Sequence, residues 1–284
     1  MRILIMKKNQ NVKTIYVDLD GTFVGKNGSL IHNHLGELSS ASLDGLKKAQ
    51  ENNCEIIITT GRDKFRTADF ARVLGLTQYI AEAGCVIKTT EAETFNFGIA
   101  NKYYDFENNS SEQFHEEVVK AGTFLVEKFS GSIQEHSEYN RGQYGTTMLR
   151  GNIDEVKANE LLQENWPYLE IYGNGHGMFR RSMPGVENVL IYHLAPIGTT
   201  KVGGIKYDKE LRNLSTENCF MIGDGFADLL CSTEVNKVFV PVNGVNADEN
   251  SALYAQEHEN VEVLKGSHNE GFQEAIEKII KIDQ

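Results

Sequence analysis

Four short apolar runs, each closed by polar turn residues, constrain the fold of this chain more than any other feature. Thr14-Ile-Tyr-Val-Asp18 leads into Leu-Asp-Gly-Thr, and Glu55-Ile-Ile-Ile-Thr59 leads into Thr-Gly-Arg. Cys219-Phe-Met-Ile-Gly223 leads into Asp-Gly, and Val238-Phe-Val240 meets Pro241. Runs this short, rich in β-branched residues and without polar alternation, read as strands buried on both faces, as in a parallel sheet. Helical stretches lie between them, at about 39–52, 64–74, 200–213 and 227–234. Strand alternating with helix predicts a doubly wound α/β domain, whose strand ends converge on one crevice.

The middle of the chain follows another pattern. Alternating runs such as 143–149 and 187–194 accompany helical stretches at 116–129 and 153–164. Half-buried strands with helices predict an α+β unit on an antiparallel sheet. Because the α/β pattern resumes near Thr199, the middle reads as an insertion. The expected division is a core of residues 1–85 and 197–284 interrupted by a unit of residues 86–196.

Charge and cysteine usage narrow the partners. A formal net charge of −12 argues against nucleic acid and anionic membranes, which need a basic surface, but leaves a small anionic substrate open. The four cysteines form no CxxC pair and sit in or beside apolar runs, which predicts buried reduced thiols. The N-terminal apolar run is too short for a signal-peptide core, and no stretch has the length of a membrane span. The expectation is a cytoplasmic protein.

Polar groups at the predicted strand ends carry the chemistry. Asp18 and Asp20 stand at i and i+2 on an extended segment, pointing to one side, and Gly21 allows a tight turn. Paired carboxylates repel unless a proton or cation intervenes, and Mg²⁺ suits such oxygens. Asp224 and Asp228 form a second acidic pair after another run. Thr60-Gly61-Arg62 offers a hydroxyl and N–H groups at a strand-to-helix turn, where phosphate oxygens bind. Lys201 opens a helix, a position that the helix dipole disfavours for a cation. Each signal alone also fits a plain role: an acidic turn, a helix cap by Thr60 with Arg62 solvated, a solvated lysine. Together they form an ordered set.

That set resembles the haloacid dehalogenase-like hydrolases. Asp18 to Thr22 matches the family's Asp-x-Asp-Gly-Thr, Thr60 to Arg62 its Thr/Ser-Gly-Arg, Lys201 its lysine near a helix start, and Gly223 to Asp228 its Gly-Asp-Gly-x-x-Asp. The insertion between the second and third motifs, and Ile80-Ala-Glu-Ala-Gly84 before it, resemble the branch with a large α/β cap, which includes sugar phosphatases and phosphomannomutases. The resemblance implies a Rossmann-like core and a Mg²⁺-dependent phosphatase acting on a small phosphorylated metabolite through an aspartyl phosphate. It implies Asp18 as nucleophile, Asp20 as acid and base, and Lys201, Thr60 and Gly61 on the phosphoryl oxygens. It also implies an ion held by Asp18, the Asp20 carbonyl and Asp224, with Asp228 in support. Two residues depart from the branch: Ala227 and Ala83 replace the usual asparagines. The alternatives are a phosphosugar mutase using the same intermediate and a non-catalytic metal- or phosphate-binding protein. Arg141, His176, Arg180, Arg181 and His193 are candidates for substrate contact within the insertion. Oligomeric state is not legible.

Overall fold

The computed structural model describes residues 12–136, 143–173 and 183–282. Its first part contains β1 (Lys13–Val17), α1 (Ala41–Glu51), β2 (Cys54–Thr59), α2 (Lys64–Val73), β3 (Tyr79–Ala81), β4 (Val86–Lys88) and β5 (Glu93–Phe95). The middle part contains α3 (Ser111–Lys128), β6 (Ile133–Glu135), β7 (Thr147–Gly151), α4 (Glu155–Asn165), β8 (Leu169–Gly173) and β9 (Leu190–Pro196). The last part contains α5 (Lys201–Arg212), β10 (Cys219–Ile222), α6 (Phe226–Leu229), β11 (Lys237–Val240), α7 (Val242–Ala247), α8 (Glu249–Glu257), β12 (Val261–Val263) and α9 (His268–Lys281).

Two sheets organise these elements. The large one is ordered β12-β11-β10-β1-β2-β3-β4-β5, with every pairing from β12 to β3 parallel. Both of its faces are covered. Ile15 and Val17 of β1 pack into one cluster with Phe272, Ile276 and Ile279 of α9, while Tyr16 joins Ile205 of α5 in the other. That double coverage explains the missing polar alternation in the runs. Burying Phe272 and its two isoleucines contributes about 1.5–3 kcal/mol each, which holds α9 and α1 on their face.

The smaller sheet, β6-β7-β9-β8, is antiparallel throughout. Helix α3 packs on it through Phe114, Val118 and Leu125, and α4 through Leu162. The fold is therefore α/β, with a Rossmann-like parallel sheet and an inserted α+β unit. One detail differs from expectation. Strand β4 pairs antiparallel with β3, and β5 antiparallel with β4, so residues 86–95 extend the large sheet, although they were expected within the insertion. Their runs are too short to show which sheet they join. Among the described residues no helix is long and apolar enough to cross a membrane. All four cysteines are free and buried.

Register places the chemistry. Val17 pairs with Ile58 on one side and Ile222 on the other, so β1, β2 and β10 end together. Asp18, Thr60 and Asp224 each lie one or two residues past those pairs, on the same rim.

Candidate active site

Lys201 is the hub of the rim. Its Nζ donates to Asp18 Oδ1 at 2.5 Å and to Asp228 Oδ1 at 2.6 Å, and all three side chains are buried. Thr200 caps the helix by accepting from the Gly203 N–H, which leaves Lys201 in the first turn. The two carboxylates offset the helix dipole there. They also outweigh burial, so Lys201 holds its proton more firmly than an ordinary lysine.

Asp224 completes the group. Oxygens of Asp18, Asp224 and Asp228 lie within 4.8 Å of one another. Asp224 Oδ1 accepts from Thr22 Oγ1 at 2.9 Å, and Oδ2 accepts from Asn243 Nδ2 at 2.9 Å. Asn243 Nδ2 also donates to the Gly21 carbonyl at 3.0 Å, joining the two acidic turns. Gly21 is required: its φ is +92°, and a β-carbon there would meet Asp224 Oδ2 at 2.2 Å. Burial, only partly offset by Lys201, pushes the Asp18 carboxyl well above the usual range, and its acidic neighbours add to this. Burial and Asp228 push Asp224 up to about 7. Three carboxyls, two buried and that of Asp224 half-buried, facing one ammonium can take further positive charge. A compact set of carboxylate oxygens suits a hard divalent cation such as Mg²⁺.

Asp20 stands apart from that cluster. Its two carboxylate oxygens accept from Arg62, Oδ2 from Nε at 2.8 Å and Oδ1 from Nη2 at 2.5 Å. The solvated arginine of the plain reading is therefore a bidentate partner, a geometry that fixes the orientation of a carboxylate. Thr60 does not cap α2, because Asp63 does so by accepting from the Arg66 N–H. Thr60 is buried, and its Oγ1 accepts from the Arg62 N–H at 3.2 Å. The Gly61 N–H has no acceptor among the described residues.

The loop after β3 supports this corner. Glu82, fully buried, accepts at Oε2 from the N–H groups of Tyr144 and Gly145. Sequence reading noticed the 80–84 segment only as a resemblance and missed Asn243 entirely. Asn243 follows the fourth apolar run, and that position was the available signal. Ala227 carries no side-chain polar group, and its carbonyl accepts from Cys231 Sγ. Of the insertion candidates, Arg141, His176, Arg180 and Arg181 lie outside the described residues. His193 on β9 is fully buried, and neither ring nitrogen has a hydrogen-bond partner among the described residues. Burial, with Lys201 and His136 adding positive charge, pulls it down to about 4, so it is neutral at pH 7.

Comparison with known proteins follows the same lines. The model of the haloacid dehalogenase-like hydrolases matches residues 15–175. No curated protein sequence matches the chain. Among solved structures, a Thermoplasma acidophilum protein superposes with a TM-score of 0.63 at 14% identity, over 94% of this chain and 98% of its own. The sucrose-phosphatase of Synechocystis, solved with sucrose and phosphate, gives 0.63 at 15% identity, over 95% and 98%. A haloacid dehalogenase-like hydrolase of Bacteroides thetaiotaomicron gives 0.60 at 18% identity, over 94% and 99%.

Proposed function

Since the chain belongs to the haloacid dehalogenase-like hydrolases, we propose that it is a phosphatase that hydrolyses a small phosphomonoester, of the sugar phosphate class, through an aspartyl phosphate on Asp18. The observation that carries this reading is the Lys201 ammonium held between Asp18 and Asp228 beside Asp224. A buried carboxylate anchored by a cation at a sheet rim is a fixed nucleophile. The sucrose-phosphatase among the structural neighbours supports the substrate class.

In the first step an Asp18 oxygen bonds to phosphorus as the ester P–O bond breaks. Lys201 neutralises the incoming carboxylate and the phosphoryl oxygens, and Thr60 with the Gly61 N–H holds those oxygens. Asp20 gives a proton to the leaving oxygen. Both Asp20 oxygens face Arg62 here, so the carboxyl rotates to bring one of them to the ester oxygen for this step, while the other can stay on Arg62. Water then attacks phosphorus, Asp20 takes its proton, and inorganic phosphate leaves with Asp18 restored. Asp18, Asp224 and the Asp20 carbonyl would hold Mg²⁺, with Asp228 in support through Lys201. When bound, the ion relieves repulsion between the carboxylate and the anionic ester. The inserted unit, within 86–196, acts as a cap that chooses the leaving group, because the rim residues address the phosphate. Buried thiols favour a cytoplasmic setting.

The test is phosphate release from a panel of phosphorylated metabolites by the wild type and by Asp18→Asn. Release by the wild type alone is expected. Wild-type rates in folded Asp18→Asn would remove the nucleophile, and isomer exchange without phosphate release would point to a mutase.

A further inference from the structure

The turn after β3 makes contacts that the proposed chemistry does not use. Glu82, Ala83 and Gly84 have φ of +50°, +52° and +109° in succession. Two residues with β-carbons persist in that region only where their surroundings over-determine them, and three sets of contacts do so here. The Glu82 N–H donates to the Arg62 carbonyl at 2.9 Å, and the Ala83 N–H donates to the Thr60 carbonyl at 3.0 Å. Gly84 lies against the cap of α5, where a β-carbon would come within 2.1 Å of the Thr200 carbonyl. The Glu82 side chain crosses to the inserted unit. There Oε2 accepts from Tyr144 N at 2.9 Å, Gly145 N at 3.3 Å and Thr146 Oγ1 at 3.4 Å. Those three residues lead directly into β7, a central strand of the smaller sheet. Gly145 packs closely against Cys85, since a β-carbon there would meet Cys85 Sγ at 2.6 Å.

We propose that Glu82 is a positioning residue that ties the start of β7 to the loop bearing Thr60 and Arg62, so that the placement of the inserted unit sets the phosphate-binding corner and the partner of Asp20. The tie stands on geometry alone. Its catalytic consequence rests on the phosphatase reading. A carboxyl group buried with no cationic partner among the described residues is a costly way to join two backbone segments. It is suited to coupling because one group grips both segments, through its oxygen on one side and its own N–H on the other. Loss of the side chain releases the start of β7 directly, and it loosens residues 60–63 by relaxing the left-handed turn whose N–H groups hold the Arg62 and Thr60 carbonyls.

The experiment compares the wild type with Glu82→Ala and Glu82→Gln by p-nitrophenyl phosphate turnover and by amide hydrogen exchange. Glu82→Ala is expected to speed exchange in residues 60–63 as well as 144–151, and to lower kcat about tenfold or more through misplacement of the loop. Glu82→Gln keeps an acceptor for the Tyr144 and Gly145 N–H groups and is expected to restore kcat to within about threefold of the wild type. Faster exchange confined to 144–146, with wild-type exchange at 60–63 and wild-type kcat, would overturn the proposal. Should Glu82→Ala not fold, Glu82→Asp withdraws the carboxylate by one methylene and is expected to give the same paired change, with wild-type values in both readouts refuting the tie. If the wild type hydrolyses no phosphomonoester, the phosphatase reading fails and the exchange pattern alone decides the tie.

Discussion

Glu82 also gives the molecule a pH-dependent stability whose size follows from its surroundings. Burial pushes its carboxyl from 4.5 up to about 7, against the pull of the Tyr144 and Gly145 N–H groups and with Asp63 adding repulsion. A raised carboxyl favours the folded state in its protonated form. Its contribution is therefore complete below pH 4.5 and is lost as the pH rises toward about 7. That rise corresponds to about 3 kcal/mol, a net figure in which the hydrogen bonds are already counted. Glu82→Gln keeps the shape and does not titrate. Relative to the wild type, the variant is expected to gain stability between pH 4.5 and 7, reaching about 3 kcal/mol, and to hold that gain above pH 7. Asp18 and Asp224, also raised, titrate in both proteins and cancel in the difference. Urea unfolding of both proteins at several pH values measures it, and melting temperatures should separate by roughly 2–4 °C per kcal/mol. Parallel stability curves from pH 5 to 8 would refute the argument, because they would mean that Glu82 ionises as easily inside the fold as outside.

Two further outcomes follow from the rim. Asp20→Asn is expected to slow hydrolysis of an alkyl phosphate by a factor on the order of 100 or more, and far less for p-nitrophenyl phosphate, whose leaving group needs no proton. Steady-state kinetics on both esters check this, and equal losses would remove Asp20 as the acid. Mg²⁺ at about a hundred times its dissociation constant is expected to stabilise the wild type by about 2.7 kcal/mol, and Asp224→Asn by much less. Thermal melts with and without chelator measure it, and equal shifts in both proteins would exclude Asp224 from the ion site.

Much of this architecture was legible in the residues. The runs ending at Asp18, Thr59, Gly223 and Val240 became β1, β2, β10 and β11, because strands covered on both faces need no polar residues to mark a side. Lys201 stood out because its helix position is electrostatically wrong unless acids face it, and Asp18 and Asp228 do. What stayed hidden is contact between distant segments. Nothing local shows that Arg62 grips Asp20 or that Asn243 bridges Asp224 and Gly21. Residues 86–95 were expected in the insertion, since runs of three residues do not reveal their neighbours. Glu82 stood only within the Ile80–Gly84 resemblance, and nothing local shows that the fold sets Tyr144 and Gly145 over it.

Where the phosphoryl group goes during turnover tests the central claim most directly. Enzyme quenched in the steady state and reduced with borohydride converts an acyl phosphate to homoserine, which peptide mass spectrometry locates. Homoserine at position 18 is the expected result, absent without substrate. Homoserine at another acidic position, or none in enzyme trapped while phosphate is being released, would contradict the account.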